Sequence, residues 1–534
     1  MTAKTRYDYL SSERTQFLDE AEKAAELTLP YLILKDQYSK GMRHLPTPWQ
    51  SVGAKCAVTL AAKLMQSMLP VQTSFFKLQV DESQLGQEFG PQVKSELDLS
   101  FAKIERTILE AIAASNDRVI VHEALLHLVV AGNALIFMGK EGLKVYPLNR
   151  YVVERDGDGN VIEIITKETI AKKLIEDQLP EDILKEYDSV VDNSPDNVEE
   201  CDIYTHIKRD NNRYVWHQEV NGKILDKSYG KAPVDISPWI PLRFNTVDGE
   251  DYGRGRVGQF IGDLKSLEAL SQALVEGSAA AAKVVFTISP SSTTKPSTLA
   301  NAGNGAIVQG RPDDIGVVQV GKTADFKTAY EMMMQLERRL NDAFLVMQVR
   351  DSERTTAEEV RLTQMELDAQ LAGLFSLLTT EFLLPYLNRI LSQFQKTGKI
   401  PRLPKDIVKP TIVAGVNALG RGQDRESLGQ FLTIVSQTMG PEAVQKFINP
   451  EEVIKRLAAA QGIDVLNLVK SMQEIQGKEQ EAKQMALQQQ QTENQTAMMK
   501  TPMMDPSKNP AMAGQSPQQP PQPPQQPPQP PQQG

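Results

Sequence analysis

The chain has 534 residues, 40% hydrophobic and 24% charged, with a net charge of −10. That composition suits a globular protein of several domains and excludes a wholly disordered one. The acidic balance argues against a protein that grips nucleic acid through a strongly basic surface. Two cysteines, Cys56 and Cys201, indicate no disulfide framework and suit a reducing cytoplasm.

The N-terminus is polar and runs into charged helix, so no secretory signal is expected. Residues 1–70 read as mostly helical. Phe17, Ala21, Ala24, Ala25 and Leu27 mark one helix, Pro46 and Pro48 a turn, and 52–68 a helix rich in small residues. Residues 75–80 alternate like a strand. Residues 93–138 read as two more helices, broken at Ser115-Asn116-Asp117. The apolar run 124–138 is too short to span a membrane and is interrupted by His127, Gly132 and Asn133.

Residues 144–146 and 151–153 are β-like, and Asp156-Gly157-Asp158-Gly159-Asn160 predicts a turn between 152–155 and 161–166. The acidic stretch 170–200 is expected to mix a short helix with loop. Strands follow at 202–207, 213–220 and 239–244. An alanine-rich helix over 262–283 carries Leu264, Leu267, Leu270 and Leu274 along one side. A segment rich in Ser, Thr, Pro, Gly and Asn then predicts a small loop-rich β subdomain between two helices.

Residues 327–391 predict two long amphipathic helices broken once by a charged loop, 348–355. Leu336, Leu340, Phe344 and Met347 recur at helical spacing before it. Thr356-Ala357-Glu358-Glu359 is a capping box after it, and a second apolar face continues through Leu378. Four charges in five loop residues are costly to bury, so the loop is expected to face water or a charged partner. After Pro401 and Pro404 comes a glycine-bearing bridge, then a helical block from Asp424 to about Gln476. The Gln- and Pro-rich remainder is expected to be disordered.

No motif argues for catalysis, a cofactor or a metal. Gly253-Arg254-Gly255-Arg256-Val257-Gly258 matches a dinucleotide fingerprint, but no strand runs directly into it and no ribose-binding acid follows; it reads as a flexible lead into a helix. The loop Gly305–Pro312 lacks the Lys and Ser/Thr of a phosphate loop. His122 and His127 lie five apart, off a common helix face, and read as ordinary helix residues. The 156–160 turn lacks the Gly and Glu of a calcium loop, with Val161 and Lys167 in their places. Five histidines without a cysteine pair give no expected metal site.

Thr47-Pro48-Trp49-Gln50-Ser51-Val52-Gly53-Ala54, Leu128-Val129-Val130-Ala131-Gly132-Asn133, Ser237-Pro238-Trp239-Ile240-Pro241, Tyr252-Gly253-Arg254, Gly310-Arg311-Pro312-Asp313-Asp314-Ile315 and Gly420-Arg421-Gly422-Gln423-Asp424 resemble the portal proteins, or head–tail connectors, of short-tailed, podovirus-type double-stranded DNA phages. Leu60-Ala61-Ala62-Lys63-Leu64-Met65 and Gly262-Asp263-Leu264-Lys265-Ser266-Leu267-Glu268 do so as well. Such motifs, in order over roughly residues 5–475, are far more specific than any one glycine pattern.

The resemblance implies an α+β, mainly α, portal-type fold and a dodecameric ring at one capsid vertex. Double-stranded DNA would pass through it during packaging and ejection. The implied partners are terminase, a tail adaptor, and scaffold and major capsid proteins, with no cofactor, membrane or enzymatic activity. The implied place is the virion, with assembly in the host cytoplasm. Residues 1–261 would form the wing, 262–283 and 327–346 the stem helices, and 284–326 the clip. The tunnel loop would be 347–356, the long wing helix 357–408, the crown 409–478 and the tail 479–534. Arg311, Asp313 and Asp314 would lie on the clip's docking surface, and Arg350, Asp351, Glu353 and Arg354 would face DNA from the tunnel loop.

Residues 250–360 hold 12 Lys/Arg and 15 Asp/Glu, a net of −3 per chain. That mix suits a duplex that slides better than one that is held through counterion release. Arg350 and Arg354 would touch phosphate briefly while Asp351 and Glu353 prevent accumulation; equally, the four would pair between neighbouring subunits. Two other readings stay open: a tail adaptor or internal head protein, and a nucleotide-dependent enzyme built on Gly253–Gly258.

Overall fold

In a computed structural model, the chain divides into two compact units, residues 1–421 and 422–534. The structure describes residues 1–34, 45–71, 74–80, 91–140, 142–171, 200–282, 285–292, 295–303, 305–309, 311, 313, 315–318, 323–346, 372–403 and 408–413, with a few positions between 429 and 453. The acidic stretch 172–199, the loop 348–355 with its capping box, the bridge 414–422 and the Pro-Gln tail lie outside them. The helices and strands from residue 3 to residue 412 all belong to the first unit.

Helices α1 (Ala3–Glu26), α2 (Val52–Met68), α3 (Pro91–Ala114) and α4 (Asp117–Ala131) open the chain, with strand β1 (Phe76–Val80) between α2 and α3. Thr2 caps α1 by accepting the Thr5 N–H at 3.3 Å. Helix α4 is buried on nearly every face from Ala124 to Ala131, as a central core helix must be. It stops at Gly132, which takes the left-handed conformation (φ 78°). The apolar run predicted to stay helical through 138 therefore switches to strand β2 (Asn133–Met138). The run alone carried no sign of this change, since short apolar stretches fit either period.

Strand β2 lies between β10 (Trp239–Arg243) and β3 (Leu143–Tyr146) in an antiparallel three-stranded sheet. A second antiparallel sheet holds β4 (Tyr151–Arg155), β5 (Val161–Ala171), β6 (Glu200–Asp210), β7 (Arg213–Val220) and β8 (Lys223–Ile224), in that order. Strand β9 (Gly230–Pro233) also pairs with β7. The predicted 156–160 turn joins β4 to β5. Asp156 accepts the N–H groups of Asp158 (3.1 Å) and Asn160 (2.7 Å), so its carboxylate serves the turn.

Helix α1 lies across this sheet. Ala3, Tyr7 and Leu10 pack on Val152, Ile165 and Tyr204. The buried Arg14 guanidinium donates to the carbonyls of Leu148 (3.0 Å) and Tyr151 (2.6 Å). The main core joins α1, α2, α4 and the three-stranded sheet to residues farther along, among them Leu264, Leu340, Phe382 and Tyr386.

The segment after the undescribed 347–371 is helical over 372–378 and continues through a π turn, Thr379–Leu383, into a helix at Leu384–Lys396. Pro385 has no N–H for the preceding turn, and the wider turn absorbs that misfit, with the Leu384 N–H reaching back to the Thr379 carbonyl. A last strand, Val408–Ile412, pairs antiparallel with β1. It is short and contains Pro410, which masks it as a strand in the sequence. In a two-stranded ribbon a proline is tolerated. The position expected to begin the crown, 409, falls inside this strand.

His127 is 4% exposed, and its Nδ1 has no hydrogen-bond partner. Burial pushes its pKa down to about 4, below the ordinary value of about 6.5. The unfolded chain therefore binds a proton that the folded chain refuses, and this site's stability contribution is lost as pH falls from about 6.5 toward 4. The lowered pKa corresponds to roughly 3 kcal/mol across that window. His127→Leu is expected to flatten the dependence of the thermal midpoint on pH between those limits; an unchanged slope would contradict it.

Candidate functional site

Residues 256–346 form a projecting pair of helices with a hairpin at its far end. A short helix α5 (Arg256–Gln259) leads into α6 (Ile261–Ala282). Strands β11 (Val285–Ile288) and β12 (Ile315–Val318) pair antiparallel, with α7 (Pro296–Ala300) between them. Helix α8 (Thr323–Ala343) returns. Asp263 meets Arg339 (3.4 Å), Ser271 meets Met333 (3.8 Å) and Gly277 lies against Phe326. One position rises as its partner falls, so the helices run antiparallel. A Cβ on Gly277 would come within 2.5 Å of the Phe326 ring, so the glycine sets the close approach at the far end.

The two ends of the pair differ. Near the body, Leu264, Leu267, Leu336, Leu340 and Phe344 are buried in the main core, and Glu268 accepts the N–H groups of Trp49 (2.8 Å) and Gln50 (3.3 Å). Farther out, Val275, Tyr330 and Met332 are each more than half exposed. Among the described residues, the exposed charges include Lys265, Glu276, Lys327, Glu331, Arg338, Arg339 and Asp342, of both signs, and they form no basic stripe.

The end of α8 is tied down just before residue 347, where the described residues break off. Leu345 takes a left-handed conformation (φ 58°), which a bulky residue adopts only where its surroundings hold it. The Lys63 ammonium donates to the Leu345 carbonyl, and the Arg256 guanidinium to the Ala343 carbonyl at 2.9 Å. These cations sit where the helix dipole and the unpaired carbonyls favour them. Burial lowers the pKa of both.

Of the expected docking residues, Arg311 and Asp313 are exposed beside β12. Asp314 lies outside the described residues, as do Arg350, Asp351, Glu353 and Arg354. The structure thus neither gathers nor separates the tunnel-loop four. Lys63 and Arg256 were missed in the sequence: a lone lysine on a small-residue helix carries no signal, and Arg256 was absorbed into the glycine pattern.

The glycine pattern itself is a rigid seam, not the flexible lead read from the sequence. Cβ atoms on Gly132, Gly253 or Gly255 would each meet backbone atoms of the facing segment within 3.0 Å. The Asn133 side chain bridges the seam, accepting the Gly253 N–H and donating to the Gly253 carbonyl, both at 2.7 Å. The glycines serve contact between two backbones, which leaves no open phosphate cradle.

Residues 256–346 thus form a helix pair with a strand pair at its far end, joined to an α+β body. Over residues 1–468 the chain matches the family described as bacteriophage head to tail connecting protein. It belongs to that family. The connector is 37% identical to the portal protein of Escherichia phage T7, with 89% of each chain covered. It is 38% identical to the portal protein of Enterobacteria phage T3, with 88% of each covered. Against the portal protein of Pseudomonas phage phiKMV the identity is 25%, over 87% of this connector and 91% of that protein. The protein is therefore a head–tail connector of the podophage portal type and a component of the virion at the head–tail junction.

Proposed function

We propose that the connector assembles as a ring, with a dodecamer as the expected count, and that double-stranded DNA passes through its centre during packaging and ejection. The observation that carries this reading is the outer half of the helix pair. Val275, Tyr330 and Met332 stand exposed there, and an apolar surface that one chain leaves uncovered is suited to a neighbour. In a ring, repeated copies of the pair would cover one another's flanks and line a bore. The assignments of wing, stem, clip, tunnel loop and crown follow the same reading.

The mixed charges of the pair favour sliding over retention. A basic lining would neutralise phosphates and hold the duplex. Here cations and carboxylates alternate, so any contact is brief. The connector acts as a passive conduit and supplies no chemistry. Terminase would dock on the hairpin end during packaging and the tail adaptor would follow it, with Arg311, Asp313 and Asp314 on the docking surface. Scaffold and major capsid proteins would surround the ring, which would assemble in the host cytoplasm. Images of the purified chain test this reading, with closed rings around a central hole as the expected result.

The proposed tunnel loop, residues 347–356, is the second test. Asp351 and Glu353 are proposed to keep Arg350 and Arg354 from accumulating on phosphate. Asp351→Lys with Glu353→Lys is expected to slow DNA translocation or trap the duplex in a packaging assay. Normal packaging with normal ring assembly would assign these charges to pairing between subunits.

A further inference from the structure

We infer that the large sheet carries a divalent transition-metal site of the zinc class, built from His206, His217 and Glu219 with Glu163 beside them. This goes beyond the conduit reading and does not depend on it. It also revises the expectation, drawn from spacing alone, that the chain has no metal-binding cluster.

The site follows from strand register. His206 on β6 stands directly opposite His217 on β7, so their side chains share a face at cross-strand contact distance. Glu219 is two residues from His217 on the same strand and returns to that face. Glu163 on β5 reaches the same face diagonally, since Ile165 is the residue opposite His206. Two imidazoles and two carboxylates from three adjacent strands therefore converge. The donor atoms of His206, His217 and Glu219 all lie within 4.8 Å of one another. Two ligands across one zinc ion can stand at most roughly 4 Å apart. In a four-coordinate site donors stand roughly 3.4 Å apart, so the widest pair has to close by about 1–1.5 Å, which side-chain rotation must supply.

The carboxylates are held as metal ligands are held. Glu219 uses one oxygen to accept the Ala3 N–H at 2.6 Å and turns the other to His217 Nε2 at 2.9 Å. Glu163 accepts from Arg6 Nε through one oxygen at 2.8 Å and turns the other to His206 Nε2. In each case α1 fixes the outer oxygen and leaves the inner one facing an imidazole nitrogen. Such partners orient ligands and set their affinity. Glu219 is 7% exposed, and the imidazoles remain open enough for an ion to reach them, at 16% and 21% side-chain exposure.

The donor set names the ligand class. Imidazole with carboxylate suits zinc and its neighbours in the first transition row, and the two carboxylates, one of them already paired with Arg6, offset part of a dication's charge. Calcium and magnesium prefer all-oxygen shells. A bound ion would replace the two imidazole–carboxylate hydrogen bonds with bonds that join β5, β6 and β7 beneath the start of α1.

The test uses the full-length chain, stripped with a chelator and titrated with Co²⁺ as a spectroscopic probe and with Zn²⁺ by calorimetry. One ion per chain is expected, with the visible bands of four- or five-coordinate cobalt and an upward shift of the thermal midpoint. His206→Asn and His217→Gln should each weaken binding at least tenfold. Absence of binding, six-coordinate all-oxygen cobalt, or undiminished affinity in both variants would overturn the proposal. If the variants fail to fold, X-ray absorption on the zinc-loaded native chain decides the matter: two imidazole ligands support the site and none refutes it.

Discussion

Glu381→Ala is expected to destabilise the chain by roughly 3–5 kcal/mol, the cost of breaking a buried ion pair from one side. Glu381 sits in the π turn and meets Arg243 three times: it accepts the backbone N–H at 2.9 Å, Nε at 2.9 Å and Nη2 at 2.6 Å. Both side chains are almost enclosed, at 10% and 13% exposure, so water cannot replace the lost partner. Arg155 adds to the effect. Burial lowers its pKa, and the nearby Glu381 charge is the chief influence opposing that. Alanine would remove the negative charge that offsets both Arg243 and Arg155. Urea unfolding followed by circular dichroism measures the change. Arg243→Met combined with Glu381→Leu should cost less than Glu381→Ala alone, because one stranded cation is removed with the anion. A loss under about 1 kcal/mol in the single variant, the range of an exposed pair, would show that this latch does not tie β10 to the π turn.

Gly132→Ala should cost about 3 kcal/mol or more, although it adds one methyl group. The residue holds φ at 78°, where an L side chain is strained by about 1–2 kcal/mol. Its Cβ would also come 2.4 Å from the Gly255 nitrogen and 2.6 Å from the Gly253 carbonyl oxygen. Backbone cannot move aside as a flexible side chain can, so the seam has to open, and strain of this kind belongs to the severe class of substitutions. Opening it also breaks both Asn133 hydrogen bonds to Gly253. The seam ends where α5 starts, so the misfit would pass to the base of the helix pair. The expected result is a chain that is insoluble or unfolds well below the native midpoint. Gly258→Ala is the control: nothing lies within 4 Å of its added carbon, and its effect should be small. Equal behaviour of the two variants would contradict the seam.

Much of this organisation was legible because it is written in periodicity and turn chemistry. The helices Ile261–Ala282 and Thr323–Ala343 were foreshadowed by apolar spacing, 52–68 by its small residues and the β4–β5 turn by Asp156 and its glycines; the second helix stops at Ala343, before the Phe344 the spacing had included, because Leu345 turns left-handed. What failed to show was set by partners far away in sequence. Residues 133–138 have the composition of a buried helix, and only a left-handed Gly132 and the waiting edges of β3 and β10 make them a strand. The strand at 408–412 contains a proline, and only pairing with β1, more than 300 residues earlier, makes it one. The Gly253–Gly258 pattern was readable as unusual but not as a seam, since its counterpart is Gly132. His206 and His217 are eleven residues apart, a spacing that signals nothing until a hairpin sets them opposite each other. Arg311 and Asp313 were expected on a docking surface from the resemblance alone; local pattern carries no such signal, and the structure adds only that both are exposed.

Electron microscopy of the purified full-length chain tests the central claim most directly. A ring-forming conduit predicts closed, rotationally symmetric particles with an open centre, without added nucleotide or metal. A chain that stays monomeric under every assembly condition, while circular dichroism shows it folded, would contradict it.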